Sequence, residues 1–281
     1  MNASAWYAGG YLQWKLEADV KATAIYLLLI AALLTGCSGR TLNGSGVVAG
    51  EDYDLDGFSS VDVCCGMELF IQTGAPEAIH IEAEDNILEA LEVRVNGDTL
   101  VVDFGVIIGF LDVQETRPIQ VFVTLPELTG IEVSGGGALS AQDIQSEQLS
   151  LNLSGGSRAY LEGISVSDFL IESSGGGTYE IRSLQAENLT LDASGGGKIT
   201  LYGTVMDLSA NLSGGSELDG DGLRTLNAIL DISGGGRSSL SVSDTLSVDL
   251  TGGSRLDYFG SPQIDRSDIS SASELVGHSN P

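Results

Sequence analysis

"LSLNLSGGSRAYLEGISVSDFLIESSGGGTYEIRSLQAENLTLDASGGGKITL", residues 149–201, writes one pattern three times. Paired Ser-Gly falls at Ser154-Gly155, Ser174-Gly175 and Ser194-Gly195, a period of 20 residues. The beat runs outward to Ser134-Gly135 on one side and to Ser213-Gly214, Ser233-Gly234 and a variant at Thr251-Gly252 on the other. Apolar or small residues stand five, three and one positions before each Ser or Thr. Examples are Leu149, Leu151, Leu153, then Phe169, Ile171, Ser173, then Leu246, Val248, Leu250. Alternation returns five and seven positions after it, at Ala159 and Leu161, Tyr179 and Ile181, Ile199 and Leu201. Period-two alternation is the signature of strands with one buried face. A third apolar position lies ten after the serine, at Ile144, Ile164, Leu184 and Leu223.

A unit of this size cannot bury its own apolar face. Stacked copies can, by pairing each strand with its equivalent in the next unit about 4.8 Å away. Tight hairpins need turns such as Asn-Gly, and the two Asn-Gly pairs, Asn43-Gly44 and Asn96-Gly97, lie outside the repeats. No Asn column of the leucine-rich type follows the strands. The expected fold is therefore all-β: a parallel β-helix, or β-solenoid, of coils of about 20 residues, expected to be right-handed. Glycine suits a corner where φ turns positive and neighbouring coils approach closely. Ser134, Ser154, Ser174, Ser194, Ser213 and Ser233, with Gly135, Gly155, Gly175, Gly195, Gly214 and Gly234, are thus expected as structural corners. A nucleophilic role for these serines is disfavoured. They recur in every unit, and the only histidines, His80 and His278, lie outside the array. No helix follows the glycines to make a phosphate site.

Upstream, "VDVCCGMELFI" (residues 61–71) repeats the unit in worn form, with Cys64, Cys65 and Gly66 in place of Ser-Gly-Gly. Residues 47–125 read as irregular first coils, with loops near 84–90 and 105–117. There the apolar stretch "FGVIIGFLDV" is expected to protrude or to cover the open coil end. Regular coils follow over 126–260, and 261–281 reads as a C-terminal cap or tail. Neighbours on a strand face opposite ways, so one buried and one exposed thiol is expected at Cys64 and Cys65, with a strained vicinal disulfide as the alternative.

Residues 1–36 read as a lipoprotein signal peptide. Lys21 precedes the apolar run from Ala22 to Leu34, and "LTGC" follows at Leu34 to Cys37. That run is shorter than the roughly 20 residues a membrane-spanning helix needs. The segment before Lys21 is longer than such signals need, which points to a start nearer Val20. Cys37 is the expected lipid attachment point and 37–46 the lipidated linker. The absence of aspartate after Cys37 leans towards the outer membrane of a cell envelope, facing the periplasm or the surface.

The whole chain of 281 residues holds 39 acidic and 12 basic residues, a net charge of −27. Removing residues 1–36 takes away Glu17, Asp19, Lys15 and Lys21 and leaves the net charge unchanged. Such a charge excludes nucleic acid as a partner and favours divalent cations or cationic ligands. One column concentrates it. Two positions before each corner stand Glu132, Asn152, Glu172, Asp192, Asn211, Asp231 and Asp249; Arg158, Lys198, Arg237 and Arg255 stand four after it. This column reads either as a solvated face compensated across the corner or as a weak cation or glycan groove. The columns repeat evenly, with no coil expected to break the pattern. No metal site or cofactor is predicted.

With "GFSSVDVCCGMELFIQTG", "IHIEAEDNILEALEVRVNGDTLVVDF", the Ser-Gly-Gly ladder and the closing "YFGSP", residues 47–275 resemble the head GIN domain family, bacterial envelope proteins described as autotransporter adhesins. The resemblance implies a β-helical fold and brings no catalytic residues. The family usually has small residues where this chain has Cys64-Cys65. The expected function is a lipid-anchored, non-enzymatic envelope protein presenting a β-helical surface for binding or adhesion to a glycan or an envelope protein. The alternatives are a polysaccharide-active enzyme of lyase type, or a structural or signalling component without an external ligand.

Overall fold

The computed structural model describes residues 40–105 and 111–279. The expected signal peptide and Cys37 lie outside the described residues, as does part of the stretch read as a cover, 106–110. Two compact units are distinguished. The smaller includes residues 40–42 and 111–114 of a two-stranded sheet. The second strand falls inside the stretch 105–117 read as a loop, because an apolar run of mixed period gives no strand signal.

The larger unit is an all-β solenoid of about 7 turns with a coil spacing of about 20 residues. Its strands pair in parallel and in register from coil to coil. Leu149, Leu151 and Leu153 stand opposite Phe169, Ile171 and Ser173, which stand opposite Leu189, Leu191 and Ala193. All nine are buried. The row after the corner repeats the arrangement, with Ala159 and Leu161 against Tyr179 and Ile181. The third apolar column, Ile144, Ile164, Leu184 and Leu223, is fully buried and closes the core. Emptying one such site, as in Leu191→Ala, costs about 2–5 kcal/mol.

Each corner is built by its glycines. Gly195 has φ +106, and a Cβ there would lie 2.5 Å from the carbonyl oxygen of Gly175. That carbonyl accepts a hydrogen bond from the Gly196 N–H at 2.9 Å. The Gly155 carbonyl serves Gly176 at 3.0 Å in the same way. The corners thus form their own backbone ladder, and a side chain at the second position would stand in its path. The fourth position was not legible as a site. Where it is serine, the side chain is buried and bonded: Ser216 donates to the Ser213 carbonyl at 2.9 Å, and Ser254 contacts the Ile232 carbonyl at 3.0 Å.

Cys64 and Cys65 are joined as a vicinal disulfide, which corrects the expectation of two separate thiols. The strand ends at Val63, so strand alternation no longer applies to the pair. Cys65 takes the second corner position with φ +65.

The order of stacking differs from the order of sequence. The strands Ser60–Val63 and Glu68–Thr73 pair on one side with the first regular coil, at Gly130–Val133 and Ala138–Gln142. On the other side they pair in parallel with Thr99–Val102 and Gln120–Leu125. Beyond this terminal coil the pairing turns antiparallel. Glu92–Asn96 forms a hairpin with Thr99–Asp103 through Gly97, φ +67. Ala78–Glu84 joins Gln120–Leu125 to Val48–Tyr53. A short helix, Asp85–Leu88, buries Ile87 and Leu88. Glu84, 1% exposed, accepts hydrogen bonds from the Gly46 N–H at 2.6 Å and from the Thr116 N–H and hydroxyl at 3.0 and 2.8 Å. These donors, led by the Thr116 N–H, hold its carboxyl below the usual carboxylate range despite burial. At the other end, Gln263–Ile269 and Glu274–His278 add a further parallel coil within the stretch read as a cap or tail.

The coils are not uniform, contrary to expectation. From Gly220 to Arg224 one coil advances four residues while the next advances one, from Leu240 to Ser241. A shift of one residue in the opposite sense follows at once, between Thr225 and Asn227, and leaves the second coil two residues shorter. The spacing from Ser233 to Thr251, 18 residues against 20 for the coil before, carried this signal in the sequence.

Candidate functional site

The predicted acidic column forms one line. Parallel register sets Glu132 beside Asn152, Asn152 beside Glu172, Glu172 beside Asp192, Asp192 beside Asn211, Asn211 beside Asp231 and Asp231 beside Asp249. Two further members were missed. Asp62 precedes Glu132 and Asp268 follows Asp249. Both stand two positions before a corner, Asp62 ahead of Cys64 and Asp268 ahead of Ser270, so a search not tied to glycine would have found them.

All the column's residues point away from the core, and each is exposed or half-buried. Like charges directly opposite on neighbouring strands destabilise a sheet. Two amides interrupt the row, and the Asn211 side chain donates to Asp192 at 2.6 Å. Asp62 shows the pressure at the row's end. Burial and then the carboxylates of Glu132 and Asp103 push its pKa up, against the pull of Arg94. Asp103 itself lies below the ordinary range, because Arg94 donates to both its oxygens, at 2.9 and 2.7 Å.

Between this row and the corner serines runs an open groove of about 710 Å³. Glu132, Glu172, Asp192 and Asp231 line one side, and Ser154, Ser174, Ser194, Ser213 and Ser233 line the other. The hydroxyls are weakly held: Ser194 and Ser213 reach backbone carbonyls of the neighbouring coil only at 3.5 Å. Their donors remain available to a ligand. Arg158, Lys198, Arg237 and Arg255 do not line the groove. The expected compensation across the corner is not the one used by Lys198 and Arg255. Lys198 pairs with Glu217 at 3.1 Å, and Arg255 pairs with Asp257 at 2.7 Å and with Glu274. Glu217 and Glu274 stand in the bases' own column, one coil further on. A lyase-type centre needs a base and an acidic cluster in one groove; none of these four bases lines the groove that holds the acidic row.

A second polar row was not anticipated. Asp168, Asn188, Asp207, Asn227 and Thr245 stack six positions before the corner. Asn188 donates to Asp168 at 2.8 Å, Asn227 to Asp207 at 2.7 Å, and Thr245 to Asn227 at 2.7 Å. Strict alternation leaves no two acids adjacent, so this row satisfies itself.

A coiled β-solenoid with a polar groove and stacked side-chain ladders defines the class: a repetitive all-β solenoid protein. The chain belongs to the family "Putative auto-transporter adhesin, head GIN domain", which matches residues 57–262. Among solved structures it is similar to a "putative lipid binding protein" from Parabacteroides distasonis, with TM-score 0.74 and 16% identity over 85% of this chain and 100% of that one. It is equally similar to a "putative adhesin" from Parabacteroides merdae, with TM-score 0.74 and 16% identity over 85% and 99%. A "putative adhesin" from Bacteroides fragilis matches at TM-score 0.61 and 21% identity over 85% and 98%. No curated protein matches the chain. These likenesses establish the fold. The family's description is that of an adhesin, in keeping with an adhesin-like, envelope-associated role. Among the described residues no helix is long and apolar enough to cross a membrane.

Proposed function

We propose that the protein is a lipid-anchored adhesion or binding module of the cell envelope, tethered through Cys37, and that its groove is the contact surface. One observation carries the groove's role: adjacent acids remain in a row that the fold could have neutralised. From Asp168 to Asn227 the row six positions before the corner alternates Asp with Asn. The groove row instead keeps Glu172 beside Asp192 and Asp231 beside Asp249. Repulsion between like charges set side by side is reduced when a cation, or a ligand rich in donors, lies along the row. Oxygen ligands suit calcium, but one column supplies fewer than the 6–8 oxygens that a tight site takes. Weak, distributed binding follows, of the kind that serves an extended polymer. A screen of the purified solenoid against cell-wall polysaccharides and envelope proteins, with turnover assays alongside, tests the proposal. Retention of a polymer without turnover, weakened in Glu172→Gln/Asp192→Asn, supports it. Turnover of any polymer overturns the non-enzymatic reading. Retention unaffected by the double variant moves the contact surface elsewhere.

A further inference from the structure

We infer that the break in coil register holds a second site, one that takes a single neutral sugar ring. Three residues, Asp221 to Leu223, have no partner in the shorter coil that follows. Their overhang opens a cavity of about 630 Å³, lined by Asp221, Arg224, Thr225, Val242, Ser243 and Phe259 among others. The volume lies within the range of small-molecule pockets, about 300–1,000 Å³.

The lining combines what recognition of a pyranose requires. Phe259 offers apolar surface for the C–H face of a ring, and the buried Val242 backs the cavity from the core side. Phe259 is half-buried and held in place, stacked on His278 with ring centroids 5.0 Å apart. Asp221 and Arg224 are exposed at the cavity, a carboxylate acceptor and a planar fork of donors, the pair that grips adjacent hydroxyls. The Arg224 side chain makes no ion pair or hydrogen bond among the described residues, in a chain with 39 acids. Thr225, 2% exposed, belongs to the same lining, and its hydroxyl, buried just behind the cavity surface, has no hydrogen-bond partner. Buried polar groups are otherwise nearly always paired.

The scaffold under these groups is fixed. Ser241 donates to the Asp221 carbonyl and Ser243 to the Thr225 carbonyl, both at 3.2 Å. The Tyr202 ring lies against Gly222, whose Cβ would fall 2.2 Å from it. Charge selects among sugars. A uronic or sialic acid would gain from Arg224 but meet Asp221 in the same lining, so the field of a chain with net charge −27 decides for a neutral ring.

The test is saturation-transfer NMR on the whole solenoid, using the methyl glycosides of glucose, galactose and mannose, with galacturonate as the charged counterpart. We expect transfer to at least one neutral glycoside, with a Kd of about 1–10 mM, the scale for a dozen heavy atoms in an open site. Arg224→Ala should weaken binding about tenfold, the scale of one lost charge-assisted contact. Phe259→Leu, which keeps an apolar side chain, should abolish transfer from the aromatic region. Asp192→Asn, in the acidic groove, should leave the affinity unchanged, so that the two sites fail or succeed separately. Absence of transfer to every neutral glycoside overturns the inference. So does binding indifferent to both Arg224→Ala and Phe259→Leu, and so does a preference for galacturonate.

Discussion

Replacing Gly195 by alanine tests how the corners work, because Gly196 beside it serves as a control. A methyl group at 195 would lie 2.5 Å from the Gly175 carbonyl oxygen and 3.0 Å from its nitrogen, on a backbone with φ +106. A non-glycine residue held in that region costs about 1–3 kcal/mol. Forcing the overlap apart costs a further 1–3 kcal/mol or so. At Gly196 a Cβ would meet nothing within 4 Å, and φ lies outside the left-handed range. Gly195→Ala should therefore lose about 2–6 kcal/mol, while Gly196→Ala stays within about 0.5 kcal/mol of the parent. For a domain of this size each kcal/mol moves Tm by about 2–4 °C, so the first variant should melt roughly 5–20 °C lower. Circular dichroism melts of both variants, repeated in urea, read the difference. Equal costs at the two positions would refute the argument, since it assigns different work to adjacent glycines. A silent Gly195→Ala would do so more directly, by showing that the corner ladder gives way freely.

Asp62→Asn should stabilise the protein at pH 7. A carboxyl with a raised folded pKa loses native stability as pH climbs from its unfolded value, about 3.9, through the folded one. The gain should vanish near pH 3, and an equal effect at both pH values would contradict it. Calcium should raise Tm above sodium at matched ionic strength, only at millimolar levels. Asp192→Asn should shrink that increment; equal shifts from the two salts would mean plain screening, which acts over about 10 Å at 0.1 M. Cells grown with a labelled fatty acid should tag the protein, and Cys37→Ala should release it from the membrane fraction or stall its processing. Unchanged attachment in that variant would end the lipid-anchor proposal.

Much of the solenoid could be read before any coordinates because its determinants are local. Alternation of Leu149, Leu151 and Leu153 fixes a strand and its buried face within five residues. A glycine pair on a regular beat marks a corner, since positive φ is a property of one residue. Repetition then does the rest: identical units pair with one another in register, so Glu172 falls beside Asp192 without further information. The acidic row was legible for the same reason.

What tertiary structure alone decided lies where repetition lapses. Nothing local tells Ser60–Val63 to accept Thr99–Val102 on one edge and Gly130–Val133 on the other. That choice depends on which strand edges remain open once the chain has doubled back through its Asn96-Gly97 hairpin. The pairing of Cys64 with Cys65 required knowing that the two leave the strand at a corner. The cavity beside Arg224 arises because a coil two residues shorter than its neighbour must still close the same core. The 18-residue spacing from Ser233 to Thr251 stands in the sequence. The side on which the excess would open, and that Phe259 from the following coil would wall it, depends on the stacking of three coils at once.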